Sequence, residues 1–434
     1  MAAPGPAPAA APVDERLPLS RLLPFAAQHV LAMIAAPVST VFLLAGGLHL
    51  PPDRTAALLS ATLVLCGAGA LLQSFGVLRI GARLPFMMLP GGAAAALFLQ
   101  IAREHGPATA SGAVLLAAAL LLAVVPVYGR IVRFFPPLVM GATVLVIGVN
   151  MIAVAAPMAA AGTGPALVTL AATTLGFLLL RGVWRQLSVL LGMAVGTAAA
   201  ALLGTPFRAV PGDAVLALPR LLPYGAPHFD VVAALPLLVF ALASLAEATG
   251  QTVLNSEAVG RTPAPARDVP RTARADAVAS LAAGLLGGAT MVTSAENIGI
   301  VRLTGVRSRF VTAAAGALLV GCGLLAPVTR LLAALPVPVV GGAALVIYAV
   351  IAAMGIDMLR RADLADRAAS TVVALTLLAG LLPVLSPRLY APLPGWAHTL
   401  FGSGVPAAAL TAAVLTALFA RLDPARRAAP AGAG

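Results

Sequence analysis

The chain has 434 residues, 60% hydrophobic and 10% charged, with a mean hydropathy of +1.01. A soluble domain is about 25% charged because its surface meets water, so this composition excludes a water-facing exterior and calls for one that meets lipid. The net charge of +12 does not make a nucleic-acid surface: there is no Lys, and the arginines stand singly or in pairs between apolar runs. Nucleic acid requires them clustered on one face with aromatic or polar neighbours.

Residues 1–13 and 424–434 are Ala/Pro-rich tails of low complexity, expected to be disordered. The first apolar stretch, Leu22 to Leu48, exceeds the roughly 7–15 residues of a signal-peptide core and is expected to stay as a membrane helix. A span needs about 20 predominantly apolar residues. Such runs lie at 23–46, 55–77, 85–101, 109–128, 134–156, 165–182 and 186–204. They continue at 231–253, 275–289, 292–305, 309–332, 337–356, 369–386 and 404–421, giving fourteen. Cys66 and Cys322 fall inside these runs and read as buried small hydrophobes, with no disulfide or metal role.

The arginines test that number. With the N-terminus in the cytoplasm, twenty of the 27 fall in cytoplasmic segments, among them Arg261, Arg267, Arg271 and Arg274. Six face outward (Arg54, Arg103, Arg208, Arg220, Arg330, Arg388), and Arg302 lies within a span. The positive-inside rule then predicts a multi-pass protein of the inner (plasma) membrane with both termini cytoplasmic.

An internal repeat sharpens the topology. The fifth span opens FPPLVMGATVLVIG at Phe135, and the twelfth opens LPVPVVGGAALVIY at Leu335. Both run proline, small apolar residues, glycine, then Leu-Val-Ile. Seven spans separate them, an odd number, so the copies run in opposite directions. The expected fold is all-α, with two inverted seven-helix repeats and a binding site at the midplane between them.

Nearly all 15 acidic residues lie in loops; Glu247 and Glu296 do not. A carboxylate at membrane depth costs at least about 2.5–3.5 kcal/mol, so it faces a cavity or partner and marks function. Asp276, at the start of the ninth span, fits either this group or a helix-end acid beside Arg274. In the tenth span, GGATMVT precedes SAENIG, which reads as a short extended piece over 290–293 and a half-helix capped by Ser294. Glu296 and Asn297 then fall in its first turn. The third span, LPFMMLPGGAAAALFLQ, has the same order of extended residues, glycine break and helix. Irregular backbone at this depth is tolerated only where it lines a cavity or is buried in protein. Gln28 and His29, one turn inside the first span, fit either an interfacial position or a site.

ENIGIVRLTG (Glu296–Gly305) resembles the signature of the nucleobase–ascorbate transporters, also called nucleobase:cation symporters. The likeness extends to QHVLAM at Gln28, FPPLVMGATVLVIG, LAEATGQTVLNSEAVGR at Leu245 and RADAVASLAAGLLGG at Arg274, in the family's order and spacing. The resemblance implies a core domain of spans 1–4 and 8–11 (residues 14–129 and 229–333). This moves against a gate domain of spans 5–7 and 12–14 (130–228 and 334–423), commonly in a homodimer.

It also implies that Glu247 and Glu296 hydrogen-bond a nucleobase, that Asn297 supports them, and that Ala36, Gly92, Ser294 and Ala295 belong to the substrate site. Glu247, Gln251, His29 and Asp276 are the expected proton-coupling group. No cofactor or metal is expected, the coupling ion being H+. Two departures matter. Uracil permeases carry a His where this chain has Gln251, and a Phe where it has Gly92, which implies a roomier pocket with less aromatic wall. Uracil and xanthine therefore both remain open as substrate.

Glu247 sits mid-helix in apolar surroundings that penalise its charge, whereas Glu296 sits at a half-helix N-terminus whose dipole favours charge. Glu247 is accordingly the expected proton carrier and Glu296 the acceptor for ring N–H groups. The alternative on the same fold is an anion transporter of the sulfate-permease or bicarbonate type, in which two acids at the site would repel the cargo.

Overall fold

The computed structural model describes residues 12–128, 137–181, 183–205, 212–294, 296–360, 362, 364–394, 397, 401–402 and 404–422. The tails 1–11 and 424–434, Ala295, the side chain of Glu296, and the repeat residues Phe135–Pro136 lie outside the described residues. Pro12–Asp14 form a single 3-10 turn with Val13 buried.

Apolar composition forces the backbone to satisfy its own polar groups, and in lipid that means helix. The first span is two helices, α1 (Leu19–Met33) and α2 (Ala35–Gly47), interrupted at Ile34. Pro37 explains the break: it has no N–H for the carbonyl four residues back, and its ring crowds that carbonyl. There follow α3 (Pro52–Phe75), strand β1 (Met87–Pro90), α4 (Gly92–His105) and α5 (Pro107–Val124). Next come α6 (Pro137–Ala160), α7 (Thr163–Leu179) and α8 (Ser188–Leu202).

The second half repeats the order with α9 (Val231–Ala258), α10 (Pro265–Leu285), strand β2 (Met291–Ser294) and α11 (Glu296–Thr304). It ends with α12 (Arg309–Leu324), α13 (Ala326–Ala333), α14 (Val337–Leu359), α15 (Arg367–Leu385) and α16 (Gly404–Leu422). Among the described residues, seven helices are long and apolar enough to cross a membrane, and four shorter apolar ones accompany them. The three remaining spans are β1–α4, the more polar α10, and β2–α11. The ninth span differs from expectation: α10 starts ten residues earlier, at Pro265, which puts Asp276 mid-helix instead of at a helix end.

The inverted repeat is visible in the packing. The two copies of the repeated motif, α6 and α14, lie against each other. A Cβ on Gly141 would fall 2.9 Å from Leu359 N, one on Gly148 2.4 Å from Ala352 N, and one on Gly355 2.4 Å from Leu145 N. As one number climbs the other falls, so the copies run antiparallel. A second symmetric pair is α3 on α12 and α10 on α5, the second span on the eleventh and the ninth on the fourth. At the first of these, a Cβ on Gly67 would stand 2.3 Å from the carbonyl O of Gly316. Apolar attraction between helices is weak in lipid, so small residues that let backbones touch supply the packing.

Candidate functional site

β1 and β2 form a two-stranded antiparallel ribbon, pairing Met87 with Ser294, Met88 with Thr293, Leu89 with Val292 and Pro90 with Met291. These are the extended pieces expected in the third and tenth spans, with β2 one residue later than the sequence placed it. The ribbon's polar groups are satisfied by its surroundings. Gly91 N donates to Thr290 O (2.9 Å), and Ser280 of α10 both accepts from Met291 N (2.9 Å) and donates to Met291 O (3.1 Å).

Behind the ribbon lies a buried polar network. Gln73, fully buried in α3, donates through Nε2 to the Thr293 hydroxyl (2.8 Å) and to Thr272 O (3.1 Å), and lies 3.4 Å from Asp276 Oδ1. Its Oε1 accepts from Ala82 N at 3.2 Å. Thr293 in turn donates to Asp276 Oδ1 at 2.5 Å. The Thr252 hydroxyl lies 3.1 Å from that of Thr272, tying α9 to α10. Pro85 O, just ahead of β1, accepts from Asn255 Nδ2 of α9 (3.0 Å) and from Asn297 Nδ2 of α11. Each group that fixes the ribbon therefore comes from a neighbouring helix.

In front of the ribbon is a cavity of about 130 Å³. Its walls are Ala36, Ser39 and Thr40 of α2; the ribbon with Gly91–Ala93; Phe240, Glu247 and Gln251 of α9; and Val144, Ile347 and Tyr348 of α6 and α14. Gln251 Nε2 donates to Glu247 Oε1 at 2.8 Å, leaving Gln251 Oε1 without a partner. A larger cleft of about 660 Å³ opens further along α4 and α6, lined by Gln100, Arg103, Asn150 and Pro157. Met151, Ala155, Ala344 and Tyr348 pack together with Ala96; Ala96 and Met151 line the larger cleft and Tyr348 the smaller cavity.

The structure brings Ala36, Gly92, Glu247, Gln251 and Ser294 of the expected residues to one cavity. Asp276 and Asn297 are buried behind the ribbon, where they hold Thr293 and Pro85 instead of lining that cavity. His29 is buried in α1 with Nδ1 bonded to Phe25 O (2.9 Å), and it is not among the residues that line this cavity. Two aromatic side chains, Phe240 and Tyr348, line the cavity beside the glycines. A Cβ on Gly92 would lie 3.7 Å from Tyr348 Cε1, and one on Gly91 3.3 Å from Phe240 Cζ. These rings come from α14 and α9 and stand against the two glycines. Gln73, Ser39, Phe240 and Tyr348 escaped the sequence reading because each looks like an ordinary span residue.

The sequence profile described as "Permease family" (Xan_ur_permease) matches residues 20–389. The chain is 31% identical to the uric acid permease PucK of Bacillus subtilis (strain 168), over 93% of this chain and 96% of that one. It is 30% identical to the uric acid transporter UacT of Escherichia coli (strain K12), over 94% and 88%, and 28% identical to the xanthine permease of Bacillus subtilis (strain 168), over 90% and 92%. Among solved structures, the transmembrane domain of a cyanobacterium bicarbonate transporter, BicA, superposes with a TM-score of 0.59 at 14% identity, covering 92% of this chain and 99% of that one. SLC26A9 superposes with a TM-score of 0.61 at 11% identity, covering 93% and 66%. At such identities the likeness is one of fold.

Proposed function

Because the chain belongs to this permease family, that of the nucleobase–ascorbate transporters, we propose that it carries an oxidised purine such as xanthine or uric acid into the cell with protons. The observation that carries this reading is the cavity itself: a carboxylate and an amide, Glu247 and Gln251, line it together with the ribbon and two aromatic side chains, Phe240 and Tyr348. Carboxylate and amide oxygens accept ring N–H groups, and aromatic faces suit a flat heterocycle. The relatives named above are permeases of uric acid and xanthine, which supports a purine over a pyrimidine. Glu296, at the N-terminus of α11, is a second acceptor in this reading.

Residues 14–129 and 229–333 act as the core and 130–228 and 334–423 as the gate. The extensive packing of α6, α7, α14, α15 and α16 against one another supports that division. The cavity lies where the two sets meet, so relative movement of the core opens it to either side in turn. Glu247 takes up the proton that accompanies the base. Asp276, through Thr293, sets the ribbon that faces it. The arginine asymmetry supports cytoplasmic termini, and a homodimer in the inner membrane fits the family.

Uptake of labelled xanthine, uric acid, uracil and bicarbonate into proteoliposomes tests this. Purine accumulation driven by an inside-alkaline gradient and abolished by a protonophore is the expected result. Transport of bicarbonate alone, or purine uptake indifferent to the proton gradient, would overturn it.

A further inference from the structure

Buried hydroxyls in membrane helices ordinarily fold back onto their own backbone, which removes the penalty of an unmade hydrogen bond. Thr143 bonds Val139 O at 2.8 Å, Thr169 bonds Pro165 O at 2.7 Å and Thr252 bonds Ala248 O at 2.7 Å. Ser39, only 2% exposed, does not: its Oγ has no partner. Several other buried hydroxyls, those of Thr173, Thr197, Thr290, Thr376 and Thr416, are likewise unpartnered, but none of them lines the cavity in front of the ribbon. Among the described residues, Ser39 Oγ and Gln251 Oε1 are the two unpartnered buried side-chain atoms whose residues line that cavity.

These two atoms belong to different walls, Ser39 to α2 and Gln251 to α9. Their chemistry also differs. Gln251 Oε1 only accepts, and with Glu247 it forms an edge that takes N–H groups. A serine hydroxyl both donates and accepts, so it can serve a carbonyl oxygen. An unmade buried hydrogen bond is unfavourable until a ligand completes it. Two residues lining the cavity therefore each keep an unmade hydrogen bond, and a ligand that completes both must be polar on two separate edges.

We propose that Ser39 determines specificity among purines: its hydroxyl donates to the carbonyl on the five-membered ring of a base whose six-membered ring is held by Glu247 and Gln251. This selects a base oxidised on both rings, such as uric acid, over xanthine, which carries only C–H at that place. The inference rests on the purine reading above and adds the edge by which one purine is told from another.

Competition binding on purified wild-type and Ser39→Ala protein tests it, with uric acid, xanthine and hypoxanthine as probes. Ser39→Ala is expected to weaken uric acid about tenfold, the ratio that loss of one buried hydrogen bond produces. Xanthine and hypoxanthine should stay within about twofold, which also shows that the variant is folded. Ser39→Thr, which keeps the hydroxyl, should retain the preference for uric acid over xanthine. An unchanged ratio of uric acid to xanthine affinity in Ser39→Ala, whether all three bases keep their affinity or weaken equally, would overturn the assignment of Ser39 while leaving purine transport standing. Failure of the wild-type protein to bind any of the three would overturn the purine reading and this inference with it.

Discussion

Gln73 is the side chain on which the ribbon's arrangement rests most heavily, and Gln73→Leu is the cleanest way to test it. Leucine keeps most of the volume and removes every polar bond. Ala82 N then loses its acceptor at 3.2 Å in a fully buried position, which costs about 1–3 kcal/mol. Thr293 loses a donor at 2.8 Å and Thr272 O one at 3.1 Å, about 1 kcal/mol each. The sum, roughly 3–5 kcal/mol, is a large part of a typical folding free energy of about 5–15 kcal/mol. The damage is also local to β2, because the Thr293 hydroxyl would then be held by Asp276 alone.

Gln73→Glu separates the terms. It keeps an acceptor for Ala82 N but sets a second carboxylate close to Asp276 Oδ1, where Nε2 now stands at 3.4 Å. Thermal melting of the detergent-purified protein, with and without base, reads stability, and equilibrium binding reads the site. Both variants should melt below wild type and bind at least tenfold more weakly, with Gln73→Glu improving as pH falls and one of the two acids is protonated. Wild-type melting and wild-type affinity in Gln73→Leu would refute the view that this network organises the ribbon.

Glu247→Gln keeps the size and the bond to Gln251 but removes the titrating proton; gradient-driven accumulation in proteoliposomes should be lost while exchange of labelled for unlabelled base partly survives. Gly67→Val should prevent α3 and α12 from meeting, because the obstacle 2.3 Å away is the backbone oxygen of Gly316 and cannot rotate aside. Gly321→Val, with nothing within 4 Å, should yield folded protein by size-exclusion chromatography where Gly67→Val does not. Asp230 caps α9 by accepting from Val232 N (2.8 Å) and Ala233 N (3.1 Å), and the Ala233 amide chiefly holds its carboxyl below the usual range. Asp230→Ala should cost about 1 kcal/mol. Since the folded value is lowered, that stabilisation is present above about pH 4 and fades as pH falls through the folded value, so melting curves of wild type and variant should converge in acid.

Composition, span positions and the inverted repeat were legible because they depend on local properties: apolar runs, glycine breaks and the spacing of one motif. Intramembrane acids were legible for the same reason, since a carboxylate at that depth stands out against its neighbours. Thus Glu247, and the broken third and tenth spans, could be picked out without a structure. What a side chain faces is a different matter. Asp276 and Asn297 sit behind the ribbon, and Ser39 and Tyr348 in front of it, yet nothing in their own segments distinguishes the two faces.

Nothing near Gly92 in sequence indicates an aromatic neighbour; only the approach of α14, 256 residues further on at Tyr348, supplies one. Gln73 looks like one polar residue near the end of an apolar helix; its weight comes from partners about 200 residues away at Thr272, Asp276 and Thr293. The sequence by itself determined that this chain is a membrane protein of two inverted halves, because transfer of apolar side chains into lipid is scored residue by residue. The tertiary structure alone decided which polar groups share a cavity and which hold its wall, because a hydrogen bond requires two groups within about 3 Å and that distance is set by packing between helices far apart in the chain.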